Sequence, residues 1–238
     1  MTRMLALLAV LVALAAPAHA ASSQIEFGVA TESLGNGFAP WRETGLALRH
    51  EWAPRAQVEL TVRATERFDR HDEEIGIGLS APLADGWSAT LAASASPSHA
   101  ILARSSVSAG LSHVLGDGWV LGGALRSTHY ERDRANAASA MLERYFGSAA
   151  GGEWRASATV VATRLVGVAS SAALRLQLDR SWGKRGRLGL LVADVSSLAV
   201  TGRWPIASGW SVVGELGRHR FGSRYVRSGG RLGVQLDY

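Results

Sequence analysis

The final eight residues, Arg231-Leu-Gly-Val-Gln-Leu-Asp-Tyr238, divide an extended chain into two unlike sides. Leu232, Val234, Leu236 and Tyr238 fall on one side, and Arg231, Gly233, Gln235 and Asp237 on the other. The same period of two returns in Ala172–Asp179, where Leu174, Leu176 and Leu178 oppose Arg175, Gln177 and Asp179. In Gln57–Arg63, Val58, Leu60 and Val62 oppose Gln57, Glu59, Thr61 and Arg63. In Ser197–Trp204, Leu198, Val200 and Trp204 oppose Ser197, Thr201 and Arg203. This is the signature of β-strands with one apolar and one polar face, and it runs through almost the whole chain.

Such alternation fits either a half-buried soluble sheet or a barrel that crosses a membrane. The barrel is favoured because the strands are about ten residues long, enough for a tilted strand to span a bilayer. It is also favoured because the polar face carries isolated Arg, Glu, Gln and Asp, which suit a wet lumen. Glu59, Arg63, Arg175, Asp179, Arg203, Glu215, Arg231 and Asp237 are therefore the candidate lumen residues. They would line a narrow channel, or pair with one another and hold a filled barrel shut, and pairing is the favoured reading.

Turn signals punctuate the strands. Short turns are expected at Ala53-Pro54, Ala84-Asp85-Gly86, Gly116-Asp117-Gly118, Ser148–Gly152, Gly183–Gly186 and Ala207-Ser208-Gly209, because Asp-Gly and Ser-Gly supply the positive φ that tight hairpins need. Longer, more charged connections are expected between them, at Gly35–Pro40, Arg67–Asp72, Pro97–Ala100, Glu131–Ala135, Leu165–Val168, Val195-Ser196 and His219–Arg227. Their charges (Arg67, Asp69, Arg70, Asp72; Glu131, Arg132, Asp133, Arg134; Arg218, Arg220, Arg224, Arg227) read as solvated outer loops. The count is fourteen antiparallel strands with both ends on one side, an all-β transmembrane barrel. Twelve is the alternative, since Arg187–Asp194 is the weakest element. Met141–Phe146 alternates poorly because Glu143 and Arg144 are adjacent.

Three turns share an ending: Leu-Ala-Asp-Gly-Trp87, Leu-Gly-Asp-Gly-Trp119 and Ile-Ala-Ser-Gly-Trp210. Of the eight Trp, seven (Trp52, Trp87, Trp119, Trp154, Trp182, Trp204, Trp210) lie near short turns, and Trp41 belongs to the other end. Trp concentrates at membrane interfaces, where its ring is shielded and its N–H is wet. The seven read as an interfacial girdle.

The leading residues fit the same address. Arg3, the apolar run Leu5–Ala16 and Ala18-His-Ala20 form a secretory signal peptide, expected to be cleaved after Ala20 and to leave 21–238 as one barrel domain. The run is too short for a membrane-spanning helix. There is no Cys for disulfides, and no cluster of basic and aromatic residues that would suit nucleic acid.

Several segments together resemble the YaiO family of outer-membrane β-barrel proteins. They are Arg63-Ala-Thr-Glu-Arg-Phe-Asp-Arg70, Ala95-Ser-Pro-Ser-His-Ala-Ile-Leu-Ala-Arg104, Leu142-Glu-Arg-Tyr-Phe-Gly147 with Glu153-Trp-Arg155, Val195–Arg203 and Gly229–Tyr238. The resemblance implies a single barrel in the Gram-negative outer membrane, with no enzymatic motif and no cofactor. Such a barrel would sit among outer-membrane lipid and lipopolysaccharide; the charged outer loops would suit lipopolysaccharide phosphates or an anionic surface glycan, with plain solvation the favoured reading. Some relatives carry helical repeats or act with polysaccharide machinery. No such repeat stands in this chain, which weakens a polysaccharide-export reading. An amphipathic last strand ending on Tyr238 looks like the signal read by the barrel-assembly machinery.

Catalytic signals are thin. No His spacing suits a metal. Ser112-His113 could suggest a lipid-modifying enzyme, but neighbouring strand residues point to opposite faces. The expectation is a non-enzymatic barrel with a structural or surface-interaction role, the alternative being a narrow diffusion or polysaccharide-export channel.

Overall fold

A computed structural model describes residues 22–35, 37–148, 152–167, 169–183, 185–194, 196–221 and 225–238. It is a closed ring of fourteen antiparallel strands. In chain order these are β1 (Ser23–Leu34), β2 (Trp41–Ala53), β3 (Ala56–Arg67), β4 (Arg70–Ala84), β5 (Trp87–Ala95), β6 (Ser105–Gly116) and β7 (Trp119–His129). They continue as β8 (Arg134–Ser148), β9 (Gly152–Leu165), β10 (Ala169–Trp182), β11 (Gly186–Ala193), β12 (Ser197–Pro205), β13 (Trp210–Phe221) and β14 (Tyr225–Asp237). The weak Arg187–Asp194 segment is the core of β11, paired on both sides, so the count is fourteen rather than twelve.

Every strand pairs with its neighbours in sequence, except where β1 meets β14. That seam runs from Gln24↔Asp237 to Leu34↔Arg227. It is finished by reciprocal backbone bonds between Ser23 and Tyr238, both 2.9 Å. A ring with no open edge resists detergent at room temperature, because each backbone group has its partner. The folded protein should therefore migrate faster on a denaturing gel unheated than boiled; one unchanged band would contradict closure.

The outward face carries the large apolar side chains. Leu125 and Leu216 are 67 % and 72 % exposed, positions that only lipid would satisfy. The start of β1 and the end of β14 lie at the same end as the turns at 54–55, 85–86 and 117–118, and short turns of this kind mark the periplasmic end in a barrel of this class. The first three of these hairpins share one build. Each strand slips register before a two-residue turn, at Glu51/Ala53, Pro82/Ala84 and Val114/Gly116. Leu-Ala-Asp-Gly-Trp87 and Leu-Gly-Asp-Gly-Trp119 are two copies of that bulged hairpin. The third motif differs: residues 206–209 form a longer turn in which Trp210 N–H donates to Ala207 O at 3.1 Å.

The opposite end departs from the expected run of long loops. Arg67–Asp72 contracts to the two-residue turn Phe68-Asp69, whose φ values of 54° and 58° are both positive, as a type I′ hairpin demands. Arg67 and Asp72 are strand residues facing the lumen, not solvated loop charges. Arg218 and Arg220 likewise stand on β13, and Arg227 on β14. The longest connections at this end are 35–40 and 96–104. The poor alternation near Met141 also has a cause. Glu143 faces inward and Arg144 outward, where its guanidinium lies 5.0 Å over the Trp119 ring.

Candidate functional site

The lumen is where polar chemistry collects. Alternation along each strand and register between strands place Glu59, Arg63, Arg175, Asp179, Arg203, Glu215, Arg231 and Asp237 on the inward face. Apart from Arg203 and Asp237, which pair with each other, sequence reasoning did not single out their partners. Arg49 on β2 pairs with Glu59. Arg63 donates to Glu74 at 2.7 Å and reaches Glu43 at 3.4 Å. Arg155 donates to Asp179 through Nε at 2.9 Å and approaches Glu143 at 3.3 Å. Arg203 and Arg185 converge on Asp237, at 2.7 and 3.3 Å. Arg231 meets Glu26 at 2.6 Å and Arg227 meets Glu32 at 3.1 Å, both across the seam. Glu215, Arg126, Arg175 and Arg187 have no ion-pair partner among the described residues.

Geometry decides what these pairs do. The strands so joined are adjacent in the ring or next but one, except that Arg185, in the turn before β11, reaches Asp237 on β14 three strands away; none of these links joins opposite walls of the bore. Fourteen strands about 4.8 Å apart and tilted about 40° enclose a ring roughly 28 Å across between backbones. Side-chain exposure differs round that ring. Asp179 and Glu143 are almost closed off, at 2 % and 9 %, while Arg49 and Arg231 remain 45 % and 44 % exposed although they point away from lipid. The wall near β8–β10 is filled; the wall near β1, β2 and β11–β14 faces water. There a cavity of about 450 Å³ opens, and its charged lining is Arg49, Arg185, Arg187, Arg203 and Arg231 against Glu26 and Glu215.

The outer mouth has two fixed features. Trp41 faces inward, only 7 % exposed, between the guanidiniums of Arg67 (4.4 Å) and Arg227 (5.1 Å), with Phe68 edge-on at 5.5 Å. Across the mouth, segment 96–104 is held against the inner wall by Asp72. The carboxylate is fully buried and accepts N–H bonds from Ala100, Ile101 and Leu102 at 2.9, 2.5 and 2.7 Å. No sequence pattern announced this anchor, because the bonds run from a carboxylate to backbone.

The remaining tryptophans face outward near the periplasmic rim. Trp87 stacks on His113 at 4.4 Å, Trp154 on Phe146 at 6.5 Å, and Arg180 lies 5.4 Å over Trp154. Ser112 is inward and His113 outward, so they form no common site. Among the described residues no three His, Asp or Glu side chains are grouped to hold a metal ion.

The fold is similar to the outer membrane protein Omp33 of Acinetobacter baumannii, with 10% identity, a TM-score of 0.62, and cover of 91% of this chain and 99% of that chain. It is similar to a bacterial polysaccharide outer membrane secretin, with 6% identity, a TM-score of 0.62, and cover of 91% and 98%. At such identities the likeness is one of fold. Comparison with curated proteins finds no match. The family model of the YaiO membrane β-barrel domain matches residues 22–177. The chain belongs to the YaiO family of membrane β-barrels and is an outer-membrane barrel protein.

Proposed function

We propose that the barrel is a non-catalytic conduit for small hydrophilic solutes across the outer membrane, with a modest preference for anions. The observation that carries this reading is the direction of the ion pairs. A barrel held shut by its charges would tie opposite walls together; here all the lumen pairs but Arg185–Asp237 tie strands adjacent or next but one, and inward arginines stay wet. Five guanidiniums line the open cavity; Glu26 and Glu215 in the lining and the partner carboxylates Glu59 and Asp237 offset four of them, and the remaining positive charge sets the sign of the preference. The opposed directions of Ser112 and His113 support a role without catalysis.

Single-channel recording in planar bilayers tests this. Stepwise conductance is expected, with a reversal potential on the anion side in a salt gradient. Changing the three unpaired arginines together, Arg126→Glu, Arg175→Glu and Arg187→Glu, should carry that potential to the cation side. Silence from protein that passes the gel-shift test would sink the conduit and leave a structural or surface-interaction barrel. A polysaccharide cargo, named for the secretin of similar fold, would show as current blocked by added polymer.

A further inference from the structure

The outward wall of β12, β13, β14 and β1 is not uniform. Leu, Val and Trp cover most of it, but Gly202, Gly214 and Gly230 stand on three successive strands and thin the side-chain layer: Gly214 is open, the Trp204 ring leans over Gly202 and the Leu216 side chain over Gly230. Gly202 and Gly214 are direct partners, and Gly230 sits beside Leu216. The result is a groove of about 690 Å³ on the lipid side, walled by Val29, Val200, Trp204, Leu216 and Leu232, with Arg42 in its lining.

Charge on this wall has one sign and one place. The outward positions of the four strands hold no carboxylate among the described residues; their only charges are Arg218 and Arg220, both exposed and both toward the outer end of β13. Arg218 is in register with Ser228, and Ser228 with Ser33. Ser33 donates to Ser228 O at 3.0 Å on the exposed face. The next row inward runs Leu216, Gly230, Thr31, Arg42. A shelf of guanidinium and hydroxyl groups thus stands directly above an apolar groove. Arg42 closes the far side, three strand spacings or about 14 Å from β13. Glu66, 3.7 Å from Arg42, is the acid beside it on the outward face; Glu43 and Glu215 also border the groove, from strand positions that face the lumen.

We infer that this wall is a binding site for the phosphorylated, multiply acylated lipid of the outer leaflet, the lipid A part of lipopolysaccharide. An acyl chain lies in the glycine groove, over Gly214 and between the Trp204, Leu216 and Leu232 side chains. A phosphate meets Arg218 and Arg220 with the serine hydroxyls, as guanidinium–phosphate recognition requires. Both halves are needed: the groove alone would take any chain, and the arginines alone would take any anion. The site faces away from the lumen and is independent of conduction.

Native mass spectrometry of the detergent-solubilised barrel decides this, with three probes: bisphosphorylated lipid A, the same lipid enzymatically dephosphorylated, and phosphatidylethanolamine. Bisphosphorylated lipid A should bind one to one, with half-saturation roughly tenfold lower than either comparison lipid, the margin that loss of one charged phosphate contact gives. R218E/R220E should erase that margin and leave the dephosphorylated lipid unaffected. Gly214→Leu should weaken both lipid A forms; a Cβ there meets only Arg231 O, at 3.6 Å, so the substitution does not disturb the wall. Equal binding of the three lipids, or a margin that survives R218E/R220E, would overturn the proposal. So would a dimer mass that excludes lipid, since a second copy would then own the groove. If neither variant folds, the wild-type comparison of phosphorylated with dephosphorylated lipid still decides.

Discussion

Leu176→Arg should cost the barrel about 2–4 kcal/mol, the range for a guanidinium at the mid-plane of a lipid-facing strand, while Arg175 one residue away is tolerated as it stands. Leu176 is outward and 47 % exposed in the middle of β10. The contrast variant is Gly78→Arg. Gly78 is inward on β4, opposite Glu59, and an added Cβ there meets nothing nearer than the Glu59 Cβ at 3.8 Å. It should cost under about 1 kcal/mol, because the new charge sits in water beside a carboxylate. Gly233 is inward too but would not serve: a side chain there runs into Phe27 O at 2.7 Å. Reversible unfolding in urea from lipid vesicles measures both variants. Equal costs would mean that the two faces are wrongly assigned.

The second large effect is expected at the outer mouth. Asp72→Ala removes the one carboxylate that gathers three consecutive N–H groups of segment 96–104. Hydrogen bonds to a charged acceptor are worth about 1.5–3 kcal/mol each, and three on one group are not additive, so a local loss of roughly 3 kcal/mol is expected. Amide exchange at Ala100, Ile101 and Leu102 should then speed up by about a hundredfold. Asp72→Asn should fall between, since its amide oxygen still accepts but without charge. The Ser96–His99 and Glu73–Ser98 bonds remain in all variants. Unchanged exchange in Asp72→Ala would show that those two bonds suffice.

These two positions also mark how far the sequence could be read. Leu176 was legible because a period of two reports the face of a strand without reference to any other strand. The Asp-Gly turns were legible for the same reason: φ is a local property. Asp72 and Arg67 were misjudged as loop charges, because turn length depends on how two strands meet. Phe68-Asp69 has no glycine to advertise a tight turn. Trp41 was placed at the correct end, but its inward burial under two guanidiniums depends on Arg227, far off in sequence. The pairings in the lumen were hidden for that reason too. Charge on one face predicts a polar lumen; only register says that Arg155 has Asp179 beside it, or that Arg175 has no acid.

The seam between β1 and β14 carries a consequence for how the ring comes into being. Every other ladder joins consecutive strands, so the sheet can lengthen one hairpin at a time with little chain to gather. The seam alone links distant residues, such as Gln24 and Asp237, 213 positions apart. It bears the closure entropy of the whole chain in one step. Until it shuts, the sheet has two raw edges. Gln24–Asp237, Glu26–Arg231 and Glu32–Arg227 set polar fastenings at three levels along it. A single such link would register the edges poorly; three in series admit one alignment. The ring is built to latch last, and a one-step slip would misalign every fastening together.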